Sequence, residues 1–183
     1  MRLFLRLSLV GLVGLVAIGF ALNQWVQTDS SPEPSTKSSP VKVLDGQCAK
    51  AGISLVVDFG STGEMQAIEK CVSNYDDTSW NLFEAAGISV TGTTKYPVGF
   101  VCRIQGFPTE SQEACSDMPN SAVGSWAYFV AAQGASQWQY STWGAATHKP
   151  ACGTAEAWLF KLPNEDLEEP PMNEPKTSAC SKN

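Results

Sequence analysis

Six cysteines constrain this chain more than any other feature: Cys48, Cys71, Cys102, Cys115, Cys152 and Cys180. The count is even and no two form a C-x-x-C pair, so the short ligand spacings of a zinc site are missing. The only histidine, His148, cannot supply an imidazole pair either. Disulfides are the reading that remains, and they persist in oxidising compartments. Six cysteines allow fifteen connectivities, and sequence alone does not choose among them. The expectation is sequential pairing: Cys48–Cys71 across a first hairpin, Cys102–Cys115 closing a loop, and Cys152–Cys180 pinning the tail. Loops of this size contribute about 2–4 kcal/mol each in the loop-entropy account.

The N-terminus points to the same compartment. Arg2 and Arg6 precede Leu7–Leu22, sixteen residues without a charge. A charged start before an apolar run is the pattern of a Sec signal or a signal-anchor. The run is slightly long for a cleaved signal and short for a spanning helix of about 20 residues. Gly19-Phe20-Ala21 offers small residues for cleavage, while Asn23–Val26, with Trp25 at the interface, would extend a retained anchor. Residues 1–26 are read as one or the other, and both readings associate the segment with the membrane and place the rest outside the cytoplasm.

Composition divides the remainder. Gln27–Pro40 reads QTDSSPEPSTKSSP, too polar to bury a core, and residues 27–44 are assigned as a Ser/Pro linker. Its first fourteen residues span about 20 Å as a coil or about 43 Å as polyproline II. Residues 45–160 form the expected body. Residues 161–183 carry four prolines, five acids and three lysines, and are read as an extended, mobile acidic tail unless Cys180 ties it back. Net charge is −6, or −8 once Arg2 and Arg6 are set aside. An acidic body without a basic cluster excludes nucleic acid as a partner.

Within the body, Ile53–Phe59 is a β-branched run ending at Gly60-Ser61-Thr62-Gly63, which reads as a strand and a turn. Met65–Val72 reads as the return strand. Trp80, Phe83 and Ala86 recur at helical spacing over Ser79–Ala86, with Asp77 or Thr78 to cap the start and Gly87 the end. Ile88–Gly92 and Val98–Ile104 read as strands interrupted at Tyr96-Pro97. Ser125–Ala132 and Gln137–Ser141 form a second, aromatic hairpin, and Ala155–Phe160 is the last strand. The expected class is α+β: a small mixed or antiparallel sheet with one packed helix, β-grasp-like and disulfide-stabilised.

Five segments carry a resemblance. ISLVVDFG (Ile53–Gly60), LFEAAGISVTGT (Leu82–Thr93), GFVCRIQGFP (Gly99–Pro108), SWAYF (Ser125–Phe129) and WQYSTWGA (Trp138–Ala145) occur in this order. The set resembles small exported actinobacterial proteins associated with energy-coupling-factor transporters for vitamins or cobalt. The helix ending in glycine, the G-x-V-x-x-I-x-G strand and the W-x-Y hairpin are also similar to the transcobalamin-like C-terminal domain. That is a β-grasp module that packs over a corrinoid ring. The resemblance implies a corrinoid-like or other planar ligand, a transporter subunit as a partner, and the first two disulfide pairings, with Cys152 and Cys180 an addition. Its ligand contacts come from variable loops, and no binding residue is carried over.

Candidate binding residues come from the aromatic hairpin. Trp126 and Tyr128 share one face at period two, as do Trp138 and Tyr140. Such faces either stack on a flat ligand or fill the core beside Trp80 and Phe83. Trp143 lies past the strand in a Gly/Ala-rich loop and is the most exposed candidate. His148, in GAATHKP (Gly144–Pro150), is either a metal-capable loop residue or a solvated one. Asp58 and Glu64 flank the first turn and are either paired acids or solvated turn residues. Catalysis finds little support: His148 is the only candidate base, no G-x-S-x-G elbow is present, and no phosphate-cradling glycine motif occurs. The expectation is a non-enzyme without a cofactor. It is either a small-ligand-binding accessory module or, alternatively, a surface protein-interaction domain with no small ligand.

Overall fold

The computed structural model describes residues 39–180. Residues 1–26, expected to be a signal peptide or signal-anchor, and residues 27–38 of the expected linker lie outside the described residues. No helix among the described residues is long and apolar enough to cross a membrane.

The chain orders its elements as β1 (Lys42–Asp45), β2 (Ile53–Asp58), a 3-10 turn (Gly60–Thr62), β3 (Ile68–Ser73), α1 (Ser79–Ala85), β4 (Val90–Thr91), β5 (Arg103–Ile104), β6 (Ser125–Ala131), β7 (Gln139–Tyr140) and β8 (Ala155–Lys161). Six strands form one sheet in the order β1-β3-β2-β8-β6-β7, and β4 and β5 form a separate two-stranded sheet. All neighbours in the large sheet are antiparallel except β2 and β8, which run parallel from Ser54↔Ala155 to Asp58↔Leu159. The class is therefore mixed α+β, with one α-helix among the described residues. Three disulfides hold it: Cys48–Cys71, Cys102–Cys115 and Cys152–Cys180. They are the sequential pairs, and they fit an oxidising environment.

Alternation along the central strands creates two apolar layers. Leu55, Val57, Trp158 and Phe160 face α1 and pack with Leu82 and Phe83. Val56, Phe129, Ala157 and Leu159 face the other way and pack with Trp138. Thr78 caps α1, its side chain accepting from the Asn81 N–H, which supplies a partner for one of the helix's open N–H groups.

The structure corrects three expectations. Residues 42–44, assigned to the linker, belong to β1, which pairs with β3 from Lys42↔Ser73 to Asp45↔Lys70. An edge strand needs backbone partners on one side only, so its four exposed residues show no alternation of buried and exposed positions.

The tail is not free. Lys161 ends β8, and the segment beyond it crosses the second face of the sheet. Trp138 Nε1 donates to the Asn173 carbonyl at 2.7 Å, Ser54 Oγ to the Lys176 carbonyl at 2.7 Å, and Gln133 Nε2 to the Ser178 carbonyl at 3.1 Å. Pro171, Pro175 and Ser178 are buried there. Backbone contact is close enough that a Cβ on Gly153 would lie 2.4 Å from the Ser178 carbonyl oxygen.

The strands expected at Ile88–Gly92 and Val98–Ile104 shrink to the two-residue pairing of β4 with β5. The chain folds back too tightly at Gly92 for a longer ladder. A Cβ there would stand 2.3 Å from the Tyr96 carbonyl oxygen and 2.6 Å from that of Pro97.

Candidate functional site

An open cleft of about 400 Å³ lies beside the aromatic hairpin. β6 supplies Trp126 and Tyr128 to its wall, β8 supplies Trp158, and the segment before β5 supplies Phe100. Tyr140 at the end of β7 and Trp143 beyond it complete the mouth, 41% and 65% exposed. None of the residues lining it carries a charged side chain, although the chain as a whole is strongly acidic.

Packing fixes most of these rings. Tyr128 stacks on Trp158 with centroids 4.4 Å apart and planes 11° from parallel. Trp126 meets Phe59 and Phe160 edge-on at 5.5 and 5.3 Å. Trp143 is held through its backbone. Ser141 Oγ donates to the Trp143 carbonyl at 3.1 Å and accepts from its N–H at 3.2 Å, while Ser141 N donates to the Tyr128 carbonyl. Its indole ring thus projects into solvent from a tied loop. The indole nitrogens of Trp126 and Trp158 are buried without a hydrogen-bond partner.

Four of the six residues singled out from the sequence meet at this cleft: Trp126, Tyr128, Tyr140 and Trp143. Trp138 lies on the opposite face of the sheet, 8% exposed, under the Asn173 segment. Tyr140 pairs across the hairpin with Phe129, their rings edge-on at 5.6 Å. His148 stands behind the wall instead of at the mouth, its ring centroid 6.2 Å from that of Tyr128. Asp58 and Glu64 have separate partners: Asp58 Oδ1 accepts from the Gly60 N–H at 2.9 Å, and Glu64 Oε1 from Gln112 Nε2 at 3.4 Å.

Behind Tyr128 is a group that the sequence reading missed. Glu156, on β8, is fully buried. Its Oε1 accepts from Ser79 Oγ at 2.6 Å and from the Tyr128 hydroxyl at 2.7 Å, and His148 Nε2 lies 3.5 Å away. Its Oε2 has no partner. Burial raises the Glu156 carboxyl to about 7, against the two hydroxyl donors that favour its charged form. Burial also lowers the His148 imidazole and, with the Glu156 charge beside it, raises the Tyr128 phenol. The available signal was a lone acid inside an otherwise apolar strand, Ala155–Phe160.

Among the described residues, one set has a metal-like spacing: Cys102, Glu113 and Cys115. Both sulfurs are spent in a disulfide. The Glu113 oxygens accept from the Cys115 and Asn120 N–H groups at 2.9 and 2.6 Å, so this set offers no open ligand.

No protein-family model, curated protein or solved structure matches the chain.

Proposed function

We propose that this protein is an extracytoplasmic binding module that takes up a small, neutral, ring-shaped ligand between Trp126, Tyr128, Tyr140 and Trp143. The observation that carries the reading is the aromatic cleft without a charged lining residue. Small-molecule sites have volumes of this order, with mostly apolar walls and a few polar groups for orientation. Uncharged walls in an acidic protein favour an uncharged solute, because an ion would lose its hydration without gaining a counter-charge. A corrinoid is much bulkier than a 400 Å³ cleft and would rest across its mouth against Trp143; a ligand of two or three fused rings would enter.

The first hairpin, the helix that follows it, and the parallel pairing of β2 with the final strand support the β-grasp-like reading. Residues 1–26 would tie the module to the membrane, with a transporter subunit as the partner class.

The test is calorimetric titration of the oxidised chain with riboflavin and with cobalamin, with tryptophan fluorescence followed in parallel. Saturable binding at micromolar affinity or tighter, lost in Trp143→Ala, is the expected result. No heat and no quenching up to about 1 mM, a bound of roughly −4 kcal/mol, for both compounds would overturn the reading.

A further inference from the structure

Glu156 lies where several parts of the cleft are joined. It stands on β8 between β2 and β6, and through Oε1 it holds the Tyr128 hydroxyl of the cleft wall and the Ser79 hydroxyl at the first turn of α1. That turn holds the loop at the mouth: Ser79 N donates to the His148 carbonyl at 2.9 Å and Trp80 N to the Ala145 carbonyl at 3.0 Å. His148, at the far end of the same loop, also turns its Nε2 toward Glu156 Oε1. One carboxyl group therefore touches the wall, the helix turn and the loop together.

We propose that Glu156 is the positioning residue of the cleft, and that the loss of its proton draws the Trp143–His148 loop inward. The proposal rests on the reading of this cleft as the binding site. Neutral Glu156 has only an unpartnered Oε2 on which to carry its proton, because Oε1 already accepts two hydroxyls. The carboxylate keeps both hydroxyl donors as charge-assisted bonds, roughly twice as strong as neutral ones. It is also a stronger acceptor than the neutral acid for an Nε2–H of the uncharged His148 imidazole, 3.5 Å away. Tyr128 from β6, His148 from the loop and Tyr75 from the segment before α1 are the titratable groups around it, Tyr128 by a hydrogen bond, His148 at 3.5 Å and Tyr75 through the Glu156 charge. Asp77 and Lys149, both more exposed, interact with each other beyond that shell.

The test needs no ligand. Acrylamide quenching of Trp143 is read as the difference between the wild-type and Trp143→Phe chains, disulfides intact, from about pH 5 to about pH 9. Trp143 quenching is expected to fall through a midpoint at about 7, and Glu156→Gln is expected to abolish the step. Tyr128→Phe keeps the ring and removes one donor to the carboxylate, so it is expected to move the midpoint to higher pH. A flat profile, a rise in place of a fall, a step retained in Glu156→Gln, or an unmoved midpoint in Tyr128→Phe would each overturn the proposal. Failure of riboflavin and cobalamin to bind would overturn the ligand reading while leaving this step in place.

Discussion

The Tyr128 hydroxyl donates to Glu156 Oε1 at 2.7 Å, across the middle of the sheet and out of contact with solvent. The bond connects a ring of the cleft wall to a carboxyl group that burial makes reluctant to ionise. Removing either partner leaves the other with Ser79 as its remaining hydroxyl partner in a buried site.

Stability should depend on pH through this carboxyl. Its folded value of about 7 lies above the ordinary carboxyl value of 4.5, so the folded state binds the proton more tightly than the unfolded chain does. The resulting stabilisation is fully present below the unfolded value and is lost as pH rises through about 7, a difference on the order of 3 kcal/mol. His148 is shifted downward and opposes this trend between its lowered value and 6.5. Urea midpoints of the oxidised chain between about pH 5 and about pH 8 should fall with pH, and Glu156→Gln should flatten the slope. An unchanged slope in that variant would assign the dependence elsewhere.

Trp143→Ala should separate binding from folding. The side chain is 65% exposed, so its loss should change stability by no more than about 0.5 kcal/mol. Trp158→Ala removes a buried ring stacked on Tyr128 and should cost about 3–5 kcal/mol. Denaturant unfolding of both variants beside the wild type checks the contrast.

Tyr128→Phe should cost about 1–3 kcal/mol, because Glu156 and Ser79 lose a shared partner in a buried site. Adding Ser79→Ala should cost less than the sum of the two single changes, since all three groups meet at one oxygen. A double-mutant cycle measured by urea unfolding gives the coupling.

Mild reduction should open Cys152–Cys180 first. Cys152 is exposed and Cys180 half-buried, whereas Cys48, Cys71, Cys102 and Cys115 are all sealed from solvent, and thiol exchange requires access. Alkylation followed by peptide mass mapping should find label at Cys152 and Cys180 before the other four. The freed tail should uncover Trp138, seen as a red shift in its emission, with a stability loss of about 2–4 kcal/mol. Earlier labelling of Cys71 or Cys102 would contradict the accessibility order.

Much of the fold is readable from local chemistry. The run at Ile53–Asp58, the glycine-flanked turn after it and the Thr78 cap before Ser79 are signals contained within a few residues, and they mark β2, the turn and α1. The three cysteine pairs follow chain order. Lys42–Asp45 was illegible because its partners lie in β3 and its own side chains are all exposed. The tail was illegible because its hold on the sheet is made largely by its own carbonyls, those of Asn173, Lys176 and Ser178, which no residue type advertises. At the site, alternation placed Trp126 and Tyr128 on one face. It could not place Trp138 on the opposite face from them, nor gather Ser79, His148 and Glu156 from three separate segments around one oxygen.

The sheet's order has a consequence for biosynthesis. β8 sits between β2 and β6, yet it is synthesised after all the other described strands. Until residues 155–161 are available, β2 lacks its parallel neighbour and β6 has nothing on its inner side. The face that residues 171–178 later cover is open for longer still. Such dependence on distant pairing slows folding and prolongs the exposure of apolar strands. A chain released before residue 155 would carry a three-stranded piece, β1-β3-β2, and the β6–β7 hairpin with nothing to bridge them, a species for proteases to clear rather than a partly working domain.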